Sequence, residues 1–203
     1  MLTIALLLSI RFLRLSMIAG MLRNGYVWSR ERSKRNILVN SALTMCQAAA
    51  NASKLKADPS KGFIIGGTSA GGNMAAACAL LARDEKLSPP LTGLCLLIPA
   101  LMDYRVIPEK YKDDIKSYEQ NKDAPILGMS SINLFKENYK ADTKSTLYNI
   151  FADGADHHNL PSTYFQVCGM DPLRDDALVF ERELRTECNT KTKLDVYPGL
   201  PHG

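Results

Sequence analysis

Short apolar runs and longer amphipathic stretches follow one another along most of this 203-residue chain. Continuous apolar or β-branched runs are typical of buried strands, whereas apolar positions that recur every three or four residues are typical of helices. The runs predict strands at Phe63–Ile65, Leu94–Ile98, Thr163–Cys168 and Lys193–Tyr197. The helical spacing predicts helices at Met74–Arg83, Ser130–Tyr139 and Asp175–Cys188. Strands that alternate with helices predict an α/β fold with a mostly parallel sheet flanked by helices.

Two further stretches complete this pattern. A helix is predicted from Asn40 or Ser41 to about Leu55, after possible short strands at 26–28 and 37–39. Residues from about 100 to 162 are charged and rich in tyrosine, and they lack a strand pattern. An insertion of this kind between two buried strands is expected to form a helical cap over the carboxyl edge of the sheet.

The sequence Gly67-Thr68-Ser69-Ala70-Gly71 stands where the first predicted strand gives way to a helix. Its G-x-S-x-G spacing is typical of a nucleophile elbow, a tight turn that exposes a serine hydroxyl. We expect glycine at 67 and 71 because side chains there would collide as strand and helix fold back on each other. Ser69 is the candidate nucleophile, and the N–H of Ala70 is a candidate oxyanion donor. The alternative is a plain strand-to-helix turn with a capping serine.

Asp171 and His202, like Ser69, each follow a predicted strand within a few residues. Right-handed crossovers bring the loops after parallel strands to one edge of the sheet, so the three side chains are expected to meet there. Their order along the chain, serine then acid then histidine, is that of α/β-hydrolases. His202 would act as general base and Asp171 would orient its ring. The alternatives are a turn residue for Asp171 and a loose terminal residue for His202.

Other acids and histidines receive no catalytic role. Asp175 and Asp176 stand at the start of a predicted helix and are interpreted as charges that favour its N-terminus. His157 and His158 lie in a polar loop and are interpreted as solvated or cap residues.

Three blocks of the sequence resemble the signature sequences of hormone-sensitive-lipase-like carboxylesterases. They are Gly67–Gly72, Gly169–Asp175 and Tyr197–Gly203. The first resembles the branch of that family with threonine before the nucleophile, and the likeness covers roughly residues 55 to 203. It implies an α/β-hydrolase fold with a helical cap, cleavage of carboxylic esters through an acyl-enzyme, and no metal or organic cofactor. It assigns Ser69, Asp171 and His202 as nucleophile, acid and base, with Ala70 in the oxyanion hole.

The sequence departs from that family upstream of the elbow. The family has a His-Gly-Gly-Gly type loop that completes the oxyanion hole, whereas only Gly20, Gly25 and Gly62 precede Gly66 here. The expected fold is therefore an incomplete α/β-hydrolase in a chain truncated at its N-terminus. Residues 1–36 are expected to be an Arg-rich extension outside the family fold, and residues 37–203 the partial hydrolase domain. Such a sheet would expose an apolar edge at Phe63–Ile65 unless residues 26–39 cover it.

The formal net charge of +4 is unevenly distributed. Residues 1–36 hold 7 of the 25 Lys and Arg but only one of the 21 acids, Glu31. The basic excess is confined to this one terminal segment, so a nucleic-acid-binding face is not predicted. Arg11 and Arg14 interrupt the apolar run Met1–Ile10, which is too short for a membrane span. A cytoplasmic protein is expected, with a mitochondrial or secretory leader left open as alternatives.

Cysteine and histidine are too scattered to suggest a metal site. The five cysteines stand singly, at positions 46, 78, 95, 168 and 188, and the chain has three histidines. We interpret the cysteines as reduced and structural. No metal site and no cofactor are predicted.

The sequence thus supports two classes of function. The first is a serine hydrolase that cleaves carboxylic esters of small or medium acyl substrates, in the setting of small-molecule metabolism. The second is a non-catalytic small-molecule binder or an inactive fragment of such an esterase. Retention of His202 favours the first and the missing upstream loop favours the second. The expected partner is a small-molecule ester, and the oligomeric state is open.

Overall fold

Four parallel strands form the sheet that carries the predicted site. The computed structural model describes Ala42 and residues 44–203. The strands are β1 (Ile64–Thr68), β2 (Gly93–Leu97), β3 (Ser162–Cys168) and β4 (Thr192–Tyr197). They stand in the order β1-β2-β3-β4, and every neighbouring pair is parallel. The predicted α/β class with a parallel sheet is confirmed.

Five α-helices accompany these strands in the described part of the chain. They are α1 (44–50), α2 (Ala70–Asp84), α3 (Ser117–Gln120), α4 (Met129–Tyr139) and α5 (Arg174–Thr186). The α1 helix gives way to turns at 51–56, so the prediction of a helix reaching Leu55 is wrong at that end. None of the helices among the described residues is both long and apolar enough to cross a membrane. The predicted strands at 26–28 and 37–39 and the extension 1–36 lie outside the described residues.

The first strand runs further than the apolar pattern predicts. It continues through Gly66 and Gly67 to Thr68 because these residues pair with β2, Gly66 opposite Cys95. A Cβ atom on Gly66 would lie 2.9 Å from the Cβ of Cys95, so the two strands approach closely only because glycine is present. The apolar pattern predicts only the first part of this strand, at Phe63–Ile65.

The main core lies between the sheet and two helices. Leu94 and Leu96 of β2 and Phe165 of β3 pack with Ala76 of α2 and Phe180 of α5, and all five are buried. Burying a side chain of the size of leucine or phenylalanine contributes about 2 kcal/mol. This packing fixes the ends of α2 and α5 relative to the carboxyl edge of the strands.

A second, smaller cluster buries the start of β1. Phe63 is 3% exposed and packs with Met45 and Ala48 of α1 and with Cys78 of α2. The expectation of an exposed apolar edge is therefore wrong for Phe63, because α1 covers it; residues 26–39 lie outside the described residues. A groove of about 920 Å³ is lined by residues of the strands, among them Ile64, Cys95 and Tyr164. Ser69, Asp171 and His202 do not line that groove.

The segment between β2 and β3 contains α3, α4 and two short 3-10 helices, and no strand among its residues 98–161. One carboxylate ties it together. Asp103 is fully buried and accepts hydrogen bonds from Arg105 Nε at 2.9 Å and Tyr148 Oη at 2.9 Å, with Lys136 Nζ at 3.2 Å. Burial raises the pKa of Asp103, but these donors outweigh burial and leave it well below its usual range. The predicted cap residues thus form an ordered unit; their assignment as a separate cap stays a prediction.

Candidate active site

Ser69 occupies a strained turn between β1 and α2. Its φ of 55° and ψ of −119° are uncommon for a residue other than glycine and are typical of a nucleophile elbow. Two backbone hydrogen bonds hold the turn: Ser69 N donates to Leu97 O at 2.9 Å, and Asn73 N donates to Ser69 O at 3.1 Å. Since α2 begins at Ala70, the turn is as tight as the G-x-S-x-G spacing predicts.

The two glycines of the motif have different surroundings. A Cβ atom on Gly67 would lie 2.2 Å from Gly71 O and 2.8 Å from Gly72 N, which backbone atoms cannot accommodate without moving. A Cβ atom on Gly71 would meet no atom of the described residues within 4 Å. The expectation that a side chain would collide is confirmed for Gly67 and wrong for Gly71, because the Cα–Cβ direction of Gly71 points out of the fold-back.

Asp171 lies in the loop that joins β3 to α5. Its carboxylate is 1% exposed, and Oδ1 accepts a hydrogen bond from Leu173 N at 2.9 Å. Asn121 of the segment after α3 donates to the backbone oxygen of Asp171 at 3.1 Å. The carboxylate is therefore held in one orientation, with Oδ2 directed away from its own loop.

The loop that carries His202 lies directly against the Asp171 loop. Gly169 N donates to Tyr197 O at 2.8 Å, and Met170 N donates to Leu200 O at 3.0 Å. A Cβ atom on Gly169 would lie 2.3 Å from Pro198 O, so this close approach requires glycine. These contacts bring together residues that are about thirty positions apart in the sequence.

The three predicted residues form one hydrogen-bonded line. His202 Nδ1 lies 2.7 Å from Asp171 Oδ2, and His202 Nε2 lies 2.9 Å from Ser69 Oγ. A carboxylate oxygen only accepts, so Nδ1 donates to Asp171 and Nε2 of the neutral ring accepts from the Ser69 hydroxyl. This arrangement can remove the hydroxyl proton of Ser69 during attack on an electrophile.

Ala70 is the first residue of α2, so its N–H has no acceptor within that helix. It adjoins the Ser69 hydroxyl at the positive end of the helix dipole. Both features suit stabilisation of a developing oxyanion, and its role as an oxyanion donor stays a prediction.

Asp175 and Asp176 do more than favour a helix N-terminus. Both stand in the first turn of α5, as predicted, but both are buried. Asp175 Oδ2 accepts from Lys116 N at 2.8 Å and Ser117 N at 2.7 Å. Asp176 Oδ2 accepts from Leu101 N at 3.1 Å and Met102 N at 2.9 Å. No local spacing in the sequence indicates these contacts, whose partners lie 58 to 75 positions away.

Burial raises the pKa of Asp176 to about 7, while hydrogen bonds from Met102 N and Tyr118 and the charge of Lys136 oppose the rise. A carboxyl that binds its proton more tightly in the folded state contributes stability at low pH, and this contribution is lost as pH rises through the folded-state pKa. Asp176→Asn removes this dependence. Between pH 5 and pH 8 the wild-type protein is expected to lose roughly 3 kcal/mol of unfolding free energy that the Asp176→Asn variant does not lose.

Urea unfolding of both proteins at the two pH values measures this difference. Asp114→Asn is the control, because Asp114 is half-buried, pairs with Arg182 and has its pKa lowered by that partner. If the Asp176→Asn variant and the wild-type protein lose stability in parallel between pH 5 and pH 8, Asp176 does not hold its proton as stated.

His157 and His158 differ from each other. His158 is exposed and contacts Asp156, as expected for a solvated residue. His157 is 3% exposed, with Nδ1 2.7 Å from Glu183 Oε1 and Nε2 2.7 Å from Ile150 O. The interpretation of His157 as solvated is wrong, because its ring packs edge-on against Phe151 and Phe180. It ties the end of the cap segment to α5 and does not contact Ser69.

The chain is similar to known proteins over most of its length. A family with the α/β-hydrolase fold matches residues 36–203. Versiconal hemiacetal acetate esterase of Dothistroma septosporum is 42% identical over 158 residues, which cover 76% of this chain and 47% of that protein. Carboxylesterase NlhH of Mycobacterium tuberculosis is 35% identical over 158 residues, 75% of this chain and 46% of that protein.

A solved structure agrees in fold. The crystal structure of vibralactone cyclase superposes with a TM-score of 0.76 at 37% identity and covers 81% of this chain and 49% of that one. The chain spans about half the length of the curated relatives it matches.

Proposed function

This chain belongs to the hormone-sensitive-lipase-like carboxylesterase family of the α/β-hydrolase fold, and on that premise we propose that it is a serine hydrolase of carboxylic esters. The observation that carries the proposal is the line of hydrogen bonds from Asp171 through His202 to Ser69, with heavy-atom distances of 2.7 and 2.9 Å. These are the distances that proton transfer between nucleophile and base requires.

In the proposed first step, Ser69 Oγ attacks the ester carbonyl carbon while His202 Nε2 takes the hydroxyl proton. The carbonyl oxygen becomes an oxyanion near the N–H of Ala70. His202 then gives the proton to the departing alcohol as the ester C–O bond breaks, which leaves an acyl group on Ser69. Asp171 holds the ring in the required tautomer and stabilises the imidazolium that forms.

In the second step, water replaces the alcohol. His202 takes a proton from water, the resulting hydroxide attacks the acyl carbon, and the proton passes to Ser69 Oγ as the carboxylic acid leaves. The same two nitrogen atoms serve both halves of the reaction, so one arrangement of the three residues suffices.

The proposed substrates are esters with small or medium acyl groups. The similar enzyme from Dothistroma septosporum is named for an acetate ester, which supports a short acyl chain as the first to test. A small-molecule ester is accordingly the proposed partner of this chain.

The test is hydrolysis of p-nitrophenyl butyrate by the full chain beside Ser69→Ala. We expect the wild-type protein to release a burst of p-nitrophenolate followed by steady turnover, because p-nitrophenolate is a good leaving group and acylation is then faster than deacylation. Ser69→Ala is expected to lose both phases. Ser60→Ala is the matched control, since Ser60 is exposed and both its N–H and its hydroxyl donate to Asp58 Oδ1.

Equal background rates for wild type and Ser69→Ala would contradict the catalytic proposal and favour the non-catalytic binder. Loss of the burst in Ser60→Ala as well as in Ser69→Ala would mean that the loss is not specific to Ser69. The experiment would then not support Ser69 as the nucleophile.

A further inference from the structure

Resting on the esterase function proposed above, we infer that Asp176 is a positioning residue that holds the loop 98–102 against the nucleophile elbow and thereby fixes Ser69. Asp176 lies outside the hydrogen-bonded line of Ser69, His202 and Asp171. Its hydrogen bonds join two parts of the site that are more than seventy positions apart in the sequence.

The first step is the contact between α5 and the loop. Asp176 is fully buried, and its Oδ2 accepts from the N–H groups of both Leu101 and Met102. Tyr118 Oη of α3 lies 3.0 Å from each carboxylate oxygen. Two consecutive backbone N–H groups bonded to one oxygen fix both the position and the orientation of the loop. Without that oxygen both donors would be buried and unpaired, which is strongly unfavourable.

The second step is the contact between the loop and the elbow. Ala100 N, next to Leu101, donates to Ser69 O at 3.2 Å. Asn73 of α2 donates through Nδ2 to Ala100 O at 2.8 Å and to Tyr148 O at 2.7 Å. A Cβ atom on Gly72 would lie 2.8 Å from Pro99 Cβ, so the loop lies directly against the start of α2. Movement of the loop therefore moves the carbonyl of Ser69 or breaks its bond.

The loop is also strained and needs an external hold. Ile98 has a φ of 41°, which is unfavourable for a β-branched residue. Such a conformation persists only where the surroundings impose it. Ile98 N donates to Gln166 O at 2.8 Å on one side, and Asp176 fixes Leu101 and Met102 on the other. The strained residue is therefore held at its own N–H and again at Leu101 and Met102, a few positions later in the loop.

The hold depends on an acceptor oxygen at the Oδ2 position. In the carboxylate both oxygens accept. In the neutral acid Oδ2 still accepts from the two N–H groups while the proton on Oδ1 faces Tyr118 Oη, which is itself 3.3 Å from Met102 O. An asparagine can place its oxygen and its NH₂ group in the same two positions. A leucine has a similar shape and no acceptor.

The experiment compares Asp176→Leu and Asp176→Asn with Asp175→Leu and Asp175→Asn in the full chain. Asp175 is the matched control, because it is the adjacent buried acid of the same helix turn and binds backbone N–H groups of Lys116 and Ser117 instead. Two readouts are measured for each protein: amide exchange resolved by NMR, and the rate at which a fluorophosphonate probe labels Ser69.

We expect Asp176→Leu to speed exchange of the Ala100 and Asn73 amides at least about tenfold and to slow labelling at least about tenfold. We expect Asp176→Asn to restore both towards wild type, within about threefold. Asp175→Leu is expected to expose the Lys116 and Ser117 amides and to leave the elbow amides and labelling within about threefold of wild type.

Unchanged exchange at Ala100 and Asn73 in Asp176→Leu overturns the inference, whatever the labelling rate. Faster exchange with unchanged labelling also overturns it, because the elbow would then not depend on the loop. Absence of labelling in wild type and all variants, together with faster elbow exchange in Asp176→Leu, refutes the esterase function and retains the hold on the elbow. If Asp176→Leu does not fold, the Asp176→Asn variant is the test. A change of more than about tenfold from wild type, in the exchange of the elbow amides or in the labelling rate, overturns the inference.

Discussion

Asp171→Asn is expected to lower kcat for p-nitrophenyl butyrate by about 10⁴-fold while the protein stays folded. Asparagine keeps an oxygen for the hydrogen bond from Leu173 N, so its NH₂ group faces His202 Nδ1. That nitrogen must then accept, and the ring proton moves to Nε2. A protonated Nε2 cannot take the proton of Ser69 Oγ, which lies 2.9 Å away.

The measurement separates kcat from KM and adds a thermal melt. KM is expected to change little because Asp171 is 1% exposed and its carboxylate faces His202. Asp175→Asn is the matched control, since it makes the same substitution in a buried acid of the neighbouring helix turn. A kcat for Asp171→Asn within tenfold of wild type would show that His202 does not depend on this carboxylate.

Gly67→Ala is expected to damage both the fold and the activity. The new methyl group would lie 2.2 Å from Gly71 O, so the start of α2 must move away from β1. A displacement of about 1 Å at Ser69 lowers the rate about 100-fold, and the overpacking costs roughly 3 kcal/mol of stability. Ester hydrolysis and urea unfolding measure the two effects.

Gly71→Ala is the control within the same motif. Its methyl group would meet no atom of the described residues within 4 Å, and alanine is a better helix former than glycine. We expect activity within about threefold of wild type. Equal damage from both substitutions would mean that the motif needs glycine at 71 for a reason other than space within the described residues.

Much of the fold was predictable because its signals are local. The apolar runs at 94–98 and 163–168 and the helical spacing at 175–188 each arise from residues a few positions apart. The order of Ser69, Asp171 and His202, each a few residues after a strand, was also visible. Parallel strands with right-handed crossovers place the loops that follow them on one edge, so a sequence order becomes a spatial one. The wrong predictions concern features that local patterns do not determine: the end of α1 and the burial of Phe63.

The sequence by itself determined the class of fold, the three side chains expected to meet and the glycine needed at position 67. Only the tertiary structure decided that Asp176 bonds the loop beside the elbow, that His157 is buried against Glu183 and that Gly71 faces open space among the described residues. The physical reason is the range of the signal. Strand and helix periodicity repeats every two to four residues, whereas these contacts join positions 26 to 75 apart. Their partners are chosen by packing, which no single stretch of sequence encodes.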